Sequence, residues 1–314
     1  MVDKVPYDEF GLFHENAAEY GLPYDGPPTV SRRSVEVGGG RSLSALVWGS
    51  GAPELVLLHG GGQNAHTWDT VAMAMRPRPL VAVDLPGHGH SDRPDDRQLT
   101  DPGSLAGAED VARVITELAP SAAAVVGMSA GGFMAIRVAK VAPHLVRRLV
   151  LVDVLPGLDR AHARHIGEFL DGPVTFPSFD ELLERTKQFN PRRSESSLRR
   201  GILHNALQLD DGSWVWRHQR WRLQDAGATR PVPAPEAQGA SNVGPDLWEV
   251  IEKLDAPVML CRGMRSDSVL RDEDEAELKR RRPDALVRHF AEAGHSIQGD
   301  MPLELAAAVG EFVP

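Results

Sequence analysis

The chain has 314 residues, of which 42% are apolar and 25% charged, and its formal net charge is −10. That length supports a sizeable core, either one large domain or a domain carrying an insertion. The acidic balance, with basic residues only in short clusters such as Arg280-Arg281-Arg282, excludes a dedicated nucleic-acid-binding face.

Cys261 is the only cysteine, which excludes an internal disulfide and fits a reducing compartment. The opening MVDKVPYDEFGLF lacks a charged stretch followed by an apolar one, so no secretory signal is expected. No run of about 18 apolar residues occurs, so no membrane-spanning helix is expected. Together these features lead to the expectation of a cytoplasmic protein with no membrane partner.

A polar lead-in ends near Pro28. Strand-like runs follow at 34–37, 43–48 and 54–58, then a helical stretch at 67–75 and a strand at 80–84. Helical periodicity covers 104–118 before a strand at 123–126. A helix at 131–142 and a strand at 149–153 come next. Short, nearly all-apolar strands alternating with helices predict a parallel sheet covered on both faces. The alternation stops after Asp153, and residues 156–244 are rich in arginine, histidine and tryptophan. They close with the loose stretch RPVPAPEAQGASNVGP. The rhythm resumes with a strand at 257–261, a helix at 272–281, a strand at 285–290 and a last helix from Leu303. The expected organisation is a core of 1–155 and 246–314 interrupted by an insertion of 156–245.

Between a predicted strand and a predicted helix stands Gly127-Met128-Ser129-Ala130-Gly131, which fits G-x-S-x-G. In that context the pattern describes a nucleophile elbow, a turn so sharp that only very small residues flank the serine. The hydroxyl then projects above the sheet, while the Ala130 amide and the helix start supply positive potential. A serine needs a base, and that base needs an orienting third group. Among twelve histidines, His295 in FAEAGHSIQGDMP lies just past the last predicted strand, at the same sheet edge as Ser129. His88 and His90 in DLPGHGHSD read as loop-packing residues. His162 and His165 lack nearby carboxylates at suitable spacing, so no metal is predicted.

The sequence resembles the α/β-hydrolase fold superfamily through LVLLHGGGQNAHTW, VAVDLPGHGHSD, VVGMSAGG, LVLVDV and AGHSIQGDMP. The resemblance implies a mostly parallel doubly wound sheet with a helical cap inserted after the sixth strand, and no cofactor. It also implies that Gly61 supplies an oxyanion amide beside that of Ala130. LDDGSWVWRHQ resembles caps of esterase-like members, and Trp214, Trp216 and Trp221 are candidates for an apolar acyl pocket. The acid stays open between two residues. The G-x-x-D phrase of the family becomes Arg262-Gly263-Met264-Arg265-Ser266-Asp267, so Asp267 arrives one residue late. Asp153 closes an apolar strand, where a carboxylate requires a partner, and it is the favoured acid with Asp267 second.

The expected activity is hydrolysis of a small-molecule ester through an acyl-enzyme, with lactone or carbon–carbon bond hydrolysis as alternatives on the same fold. Two other classes compete. Gly60–Ala65 fits G-x-G-x-x-A with Asp84 ending the next strand, as in dinucleotide-binding proteins. Two strands precede that motif, however, and Ser129 and His295 would then have no role. A non-catalytic ligand receptor is the other, and it is disfavoured because serine and histidine are both retained.

Overall fold

The structure is a computed structural model and describes residues 4–95, 97, 104–159, 161–219 and 244–313. Eight strands form the central sheet: β1 (Val30–Gly38), β2 (Arg41–Trp48), β3 (Leu55–Leu58), β4 (Leu80–Val83), β5 (Ala124–Met128), β6 (Leu149–Val152), β10 (Val258–Gly263) and β11 (Leu286–Phe290). Their order is β1-β2-β4-β3-β5-β6-β10-β11. β2 is antiparallel to both its neighbours, and the pairs from β4 to β11 are parallel.

The inner parallel strands β3, β4, β5 and β6 read as nearly unbroken apolar runs because both faces are covered, whereas the edge strand β11 is largely exposed. In β3 every residue is buried. Val56 and Leu58 enter one apolar cluster, with Val81, Val125 and Ile136, while Leu55 and Leu57 enter the opposite one, with Trp68, Val126 and Met259. The strict side-chain alternation of a strand divides them in this way. The strand ends agree with the sequence expectation to within a few residues, except that β1 begins at Val30 rather than 34 and β10 continues to Gly263.

The polar lead-in holds a helix, Phe13–Tyr20, that buries Phe13 and Ala17 against the core. Between β6 and β10 lie the helices Arg164–Leu170, Phe179–Phe189 and Glu195–Asn205, with three short strands, β7 (Thr175–Phe176), β8 (Ala206–Gln208) and β9 (Trp214–Trp216). These strands form a separate antiparallel sheet in the order β7-β9-β8. Strands of two or three residues are too short to show a period-two pattern, so this sheet is invisible in the sequence. Phe176, Leu182, Ile202, Trp214 and Trp216 make a small apolar cluster of their own. Among the described residues no helix is long and apolar enough to cross a membrane.

Candidate active site

β5 ends at Met128, and Ser129 turns the chain directly into the helix Ala130–Val141. The turn holds Ser129 at φ 51°, ψ −118°, in left-handed backbone space that non-glycine residues seldom occupy. Its tightness explains the flanking glycines. A Cβ on Gly127 would come within 2.4 Å of the Gly131 carbonyl oxygen, and one on Gly131 within 2.2 Å of the Leu58 carbonyl oxygen. Ser129 remains half-buried at the floor of a cavity of about 150 Å³.

His295, in the loop after β11, lines the same cavity. Its Nδ1–H donates to Asp153 Oδ2 at 2.9 Å, and its Nε2 is buried without a hydrogen-bond partner. Asp153 closes β6 and is fully buried, at φ 48°. Burial of a carboxylate requires compensation, and here it is complete. Oδ1 accepts from the Gly263 amide at 3.0 Å and the Ser268 hydroxyl at 2.7 Å, and Oδ2 also accepts from the Val269 amide at 3.1 Å.

Asp267 lies elsewhere on the rim of the cavity. It is ion-paired with Arg192 of the insertion, and its carboxylate rests against Gly294. The extra residue in Gly263–Asp267 carries it past the position from which it would face the ring of His295.

A Cβ placed on Gly61 would lie 3.9 Å from that of Ala130, so these two residues face each other across the serine turn. The loop bearing Gly61 is braced by side chains. His59 is fully buried; its Nδ1–H donates to the Gly60 carbonyl at 2.8 Å and its Nε2 accepts from the Leu85 amide at 3.0 Å. Burial, reinforced by the neighbouring His88, lowers the His59 pKa to about 3, so the ring is neutral. His88 Nε2 accepts from the Gly62 amide at 3.1 Å, which makes it a strut of this loop. The loop-packing expectation for His88 thus acquires a specific target. Asp84 is also fully buried. Burial favours its neutral form, but the Arg32 guanidinium overcomes that and lowers its pKa. Its oxygens accept from Ala65, His90 and Arg32, so none is presented to a ribose.

The opposite wall comes from the insertion, with Ile166, Phe169, Leu170 and Phe189 as its apolar part. Leu170 sits above the loop that carries Gly61, 3.6 Å from where a Gly61 Cβ would be. His165 joins this wall, and burial together with proximity to His295 lowers its pKa. Nothing in the spacing RAHARH foretold that position. Trp214 and Trp216 do not line this cavity. Trp214 packs edge-on against Phe179 at 5.2 Å, and Trp216 lines a neighbouring cavity and stands edge-on to Phe169 at 5.8 Å. Trp221 lies outside the described residues.

This constellation joins a strand-end serine turn, a histidine after the last strand and a buried carboxylate on an open, mostly parallel sheet. The alpha/beta hydrolase family model matches residues 55–308, and the chain belongs to that family. Among its relatives is esterase Rv0045c of Mycobacterium tuberculosis, 43% identical over 310 residues, covering 96% of this chain and 94% of the relative. A solved structure of that M. tuberculosis esterase, from work on its transition metal inhibition, covers 98% of this chain and 99% of its own. It superposes with a TM-score of 0.79 at 39% identity. The 3-hydroxybutyrate-oligomer hydrolase of Cupriavidus necator is 29% identical over 275 residues, 83% of this chain and 89% of that protein.

Proposed function

We propose that the protein is a cytoplasmic serine esterase that cleaves small carboxylic esters through an acyl-enzyme, with Ser129 as nucleophile, His295 as base and Asp153 as orienter. The observation that carries this reading is the bond from His295 Nδ1 to Asp153 Oδ2 at 2.9 Å, which leaves Nε2 unpartnered in the cavity that holds Ser129. The kinship with an esterase at 43% identity supports the substrate class.

In this mechanism His295 Nε2 takes the hydroxyl proton as Ser129 Oγ bonds to the ester carbon. The carbonyl electron pair moves to oxygen, and the amides of Gly61 and Ala130 hold the oxyanion. The tetrahedral intermediate collapses, the C–O bond to the alcohol breaks, and His295 returns the proton to the departing oxygen. Water, activated by the same ring, then releases the acid and regenerates the serine. Asp153 remains ionised throughout and stabilises the transient imidazolium.

The cap is residues 156–245, and its Ile166, Phe169, Leu170 and Phe189 form the acyl wall. A cavity of about 150 Å³ holds roughly five waters' worth of liquid volume, so short acyl groups fit best. The decisive experiment assays a panel of short-chain aryl esters, lactones and vinylogous ketones against wild type and Ser129→Ala. Ester turnover that vanishes in the variant supports the reading, and undiminished turnover would overturn it.

A further inference from the structure

Beside the cavity holding Ser129 lies a second one of about 180 Å³, and His66, Asp69 and His204 all line it. We propose that these three residues form a binding site for a divalent transition cation, with His66 Nδ1, an Asp69 carboxylate oxygen and His204 Nε2 as ligands. One donor atom from each lies within 4.8 Å of the other two, and all three side chains are buried.

The separations suit a metal. His66 Nδ1 is 2.9 Å and His204 Nε2 is 3.8 Å from Asp69 Oδ2. Ligands about 2.0–2.1 Å from a tetrahedral Zn²⁺ stand about 3.4 Å apart, between those two values. Asp69 Oδ1 is buried with no hydrogen-bond partner, a cost that a cation would relieve.

The surroundings match a built metal site as well. A metal-bound imidazole typically has its other nitrogen held by an oxygen acceptor, which fixes the tautomer. His66 Nε2 is 3.1 Å from Glu9 Oε1, and His204 Nδ1 is 2.8 Å from the Tyr7 hydroxyl. Both outer nitrogens are thus occupied, and both inner ones face Asp69. Two imidazoles and one carboxylate favour Zn²⁺, Ni²⁺ or Co²⁺ over Ca²⁺ and Mg²⁺, which take all-oxygen sets.

The two rings stack at 3.8 Å with 10° between their planes. Their in-plane lone pairs meet at one ion only if the rings rotate apart, and the hydrogen between His66 and Asp69 leaves to solvent. His66 belongs to the short 3-10 helix Ala65–Trp68 that follows the oxyanion loop, and His204 to the end of the helix Glu195–Asn205. Asn64 Nδ2 donates to the His204 carbonyl at 3.0 Å, and Asn205 Nδ2 donates to the Gly62 carbonyl. An ion here therefore bridges the core and the insertion, five residues along the chain from Gly61 at His66, and this gives the esterase reading a regulatory site without depending on it.

The test is calorimetric titration of ZnCl₂ into the full-length protein, without substrate. Wild type is expected to take up one tightly held ion. His204→Gln and Asp69→Asn should bind it at least tenfold more weakly, while His289→Gln, at an exposed histidine, should leave binding unchanged. No uptake, or equal uptake in all variants, would overturn the proposal. Should a variant fail to fold, anomalous scattering from a Zn²⁺-soaked wild-type crystal decides. A peak between the three side chains supports the site, and a peak elsewhere or none refutes it. Since binding is read without turnover, failure here leaves the esterase reading standing, and a protein inert towards esters leaves the metal site standing.

Discussion

The carboxyl edge of the eight-stranded sheet and the stretch between β6 and β10 meet across one cavity, yet they are built differently. At the sheet edge Ser129 and Asp153 sit just beyond strands held by parallel pairing on both sides, and His295 follows the edge strand β11, which pairs with β10. Asp153 makes four hydrogen bonds there. The facing wall hangs on helices of seven and eleven residues and on contacts to the N-terminal segment, such as Tyr7 to His204 and Lys4 to Asp210. The contrast teaches that bond-making geometry is held by the rigid half, while the shape offered to a substrate is set by the half that can be repacked at low cost.

The sharpest way to break this contrast is at the serine. Ser129→Ala should lower ester turnover by about 10⁴-fold or more while leaving the melting temperature close to wild type, because one half-buried hydroxyl is lost. Substantial residual turnover would remove the nucleophile assignment.

Next in size is the comparison of the two aspartates, one buried at the end of β6 and the other on the rim, paired to the facing half through Arg192. Asp153→Asn should cut kcat by about 10³-fold or more through the wrong imidazole tautomer. Asp267→Asn touches only a rim pair with Arg192, worth about 0–1 kcal/mol, and should cost tenfold at most. Steady-state kinetics of the two variants decide it, and a reversed order would make Asp267 the acid.

A smaller effect is expected in the repackable half. Leu170→Ala removes the side chain over the loop that carries Gly61. It should raise relative kcat/KM for longer acyl chains by roughly tenfold, the scale of a methylene or two in an apolar pocket. Unchanged chain-length ratios would show that the wall does not touch the acyl group.

The smallest effect is a pH slope in the rigid half. His59 titrates near 6.5 when unfolded and about 3 when folded. Between those values the unfolded chain binds the extra proton, so the stability His59 contributes is fully present above pH 6.5 and is lost as pH falls. The slope is at most about 1.4 kcal/mol per pH unit. Urea unfolding at pH 7.5, 6 and 5 should give a flatter dependence for His59→Asn than for wild type. Parallel curves would mean that the ring is protonated in the fold.

Legibility in the sequence followed the same division. The serine turn, the strands beside it and His295 were readable because each is a local pattern: glycines where no Cβ fits, apolar runs buried on both faces, a histidine just past a strand. Asp153 was narrowed to one of two because a charge ending an apolar strand needs a partner. Which aspartate faces His295 depends on side-chain direction, and Asp267 turns toward Arg192 instead. The sequence offered tryptophans as pocket candidates, and the apolar lining of the cavity by Ile166, Phe169, Leu170 and Phe189 went unread because they sit on helices whose packing no periodicity reveals. The sequence predicted no metal from the close spacing of His162 and His165. The cluster of His66, Asp69 and His204 is assembled across more than a hundred residues of chain, so it leaves no spacing motif.

Ser129 and Asp153 are the only non-glycine residues among those described with positive φ, at 51° and 48°. Each holds a conformation that disfavours an L side chain by about 1–2 kcal/mol, and glycine would occupy it freely. A gene copy released from the demand for hydrolysis would therefore meet no folding barrier to glycine at Ser129, whereas at Asp153 glycine would strand the four buried donors that the carboxylate now accepts from. In this fold, glycine in place of the serine, with the aspartate kept, would mark a silenced descendant that has grown sturdier by losing its chemistry.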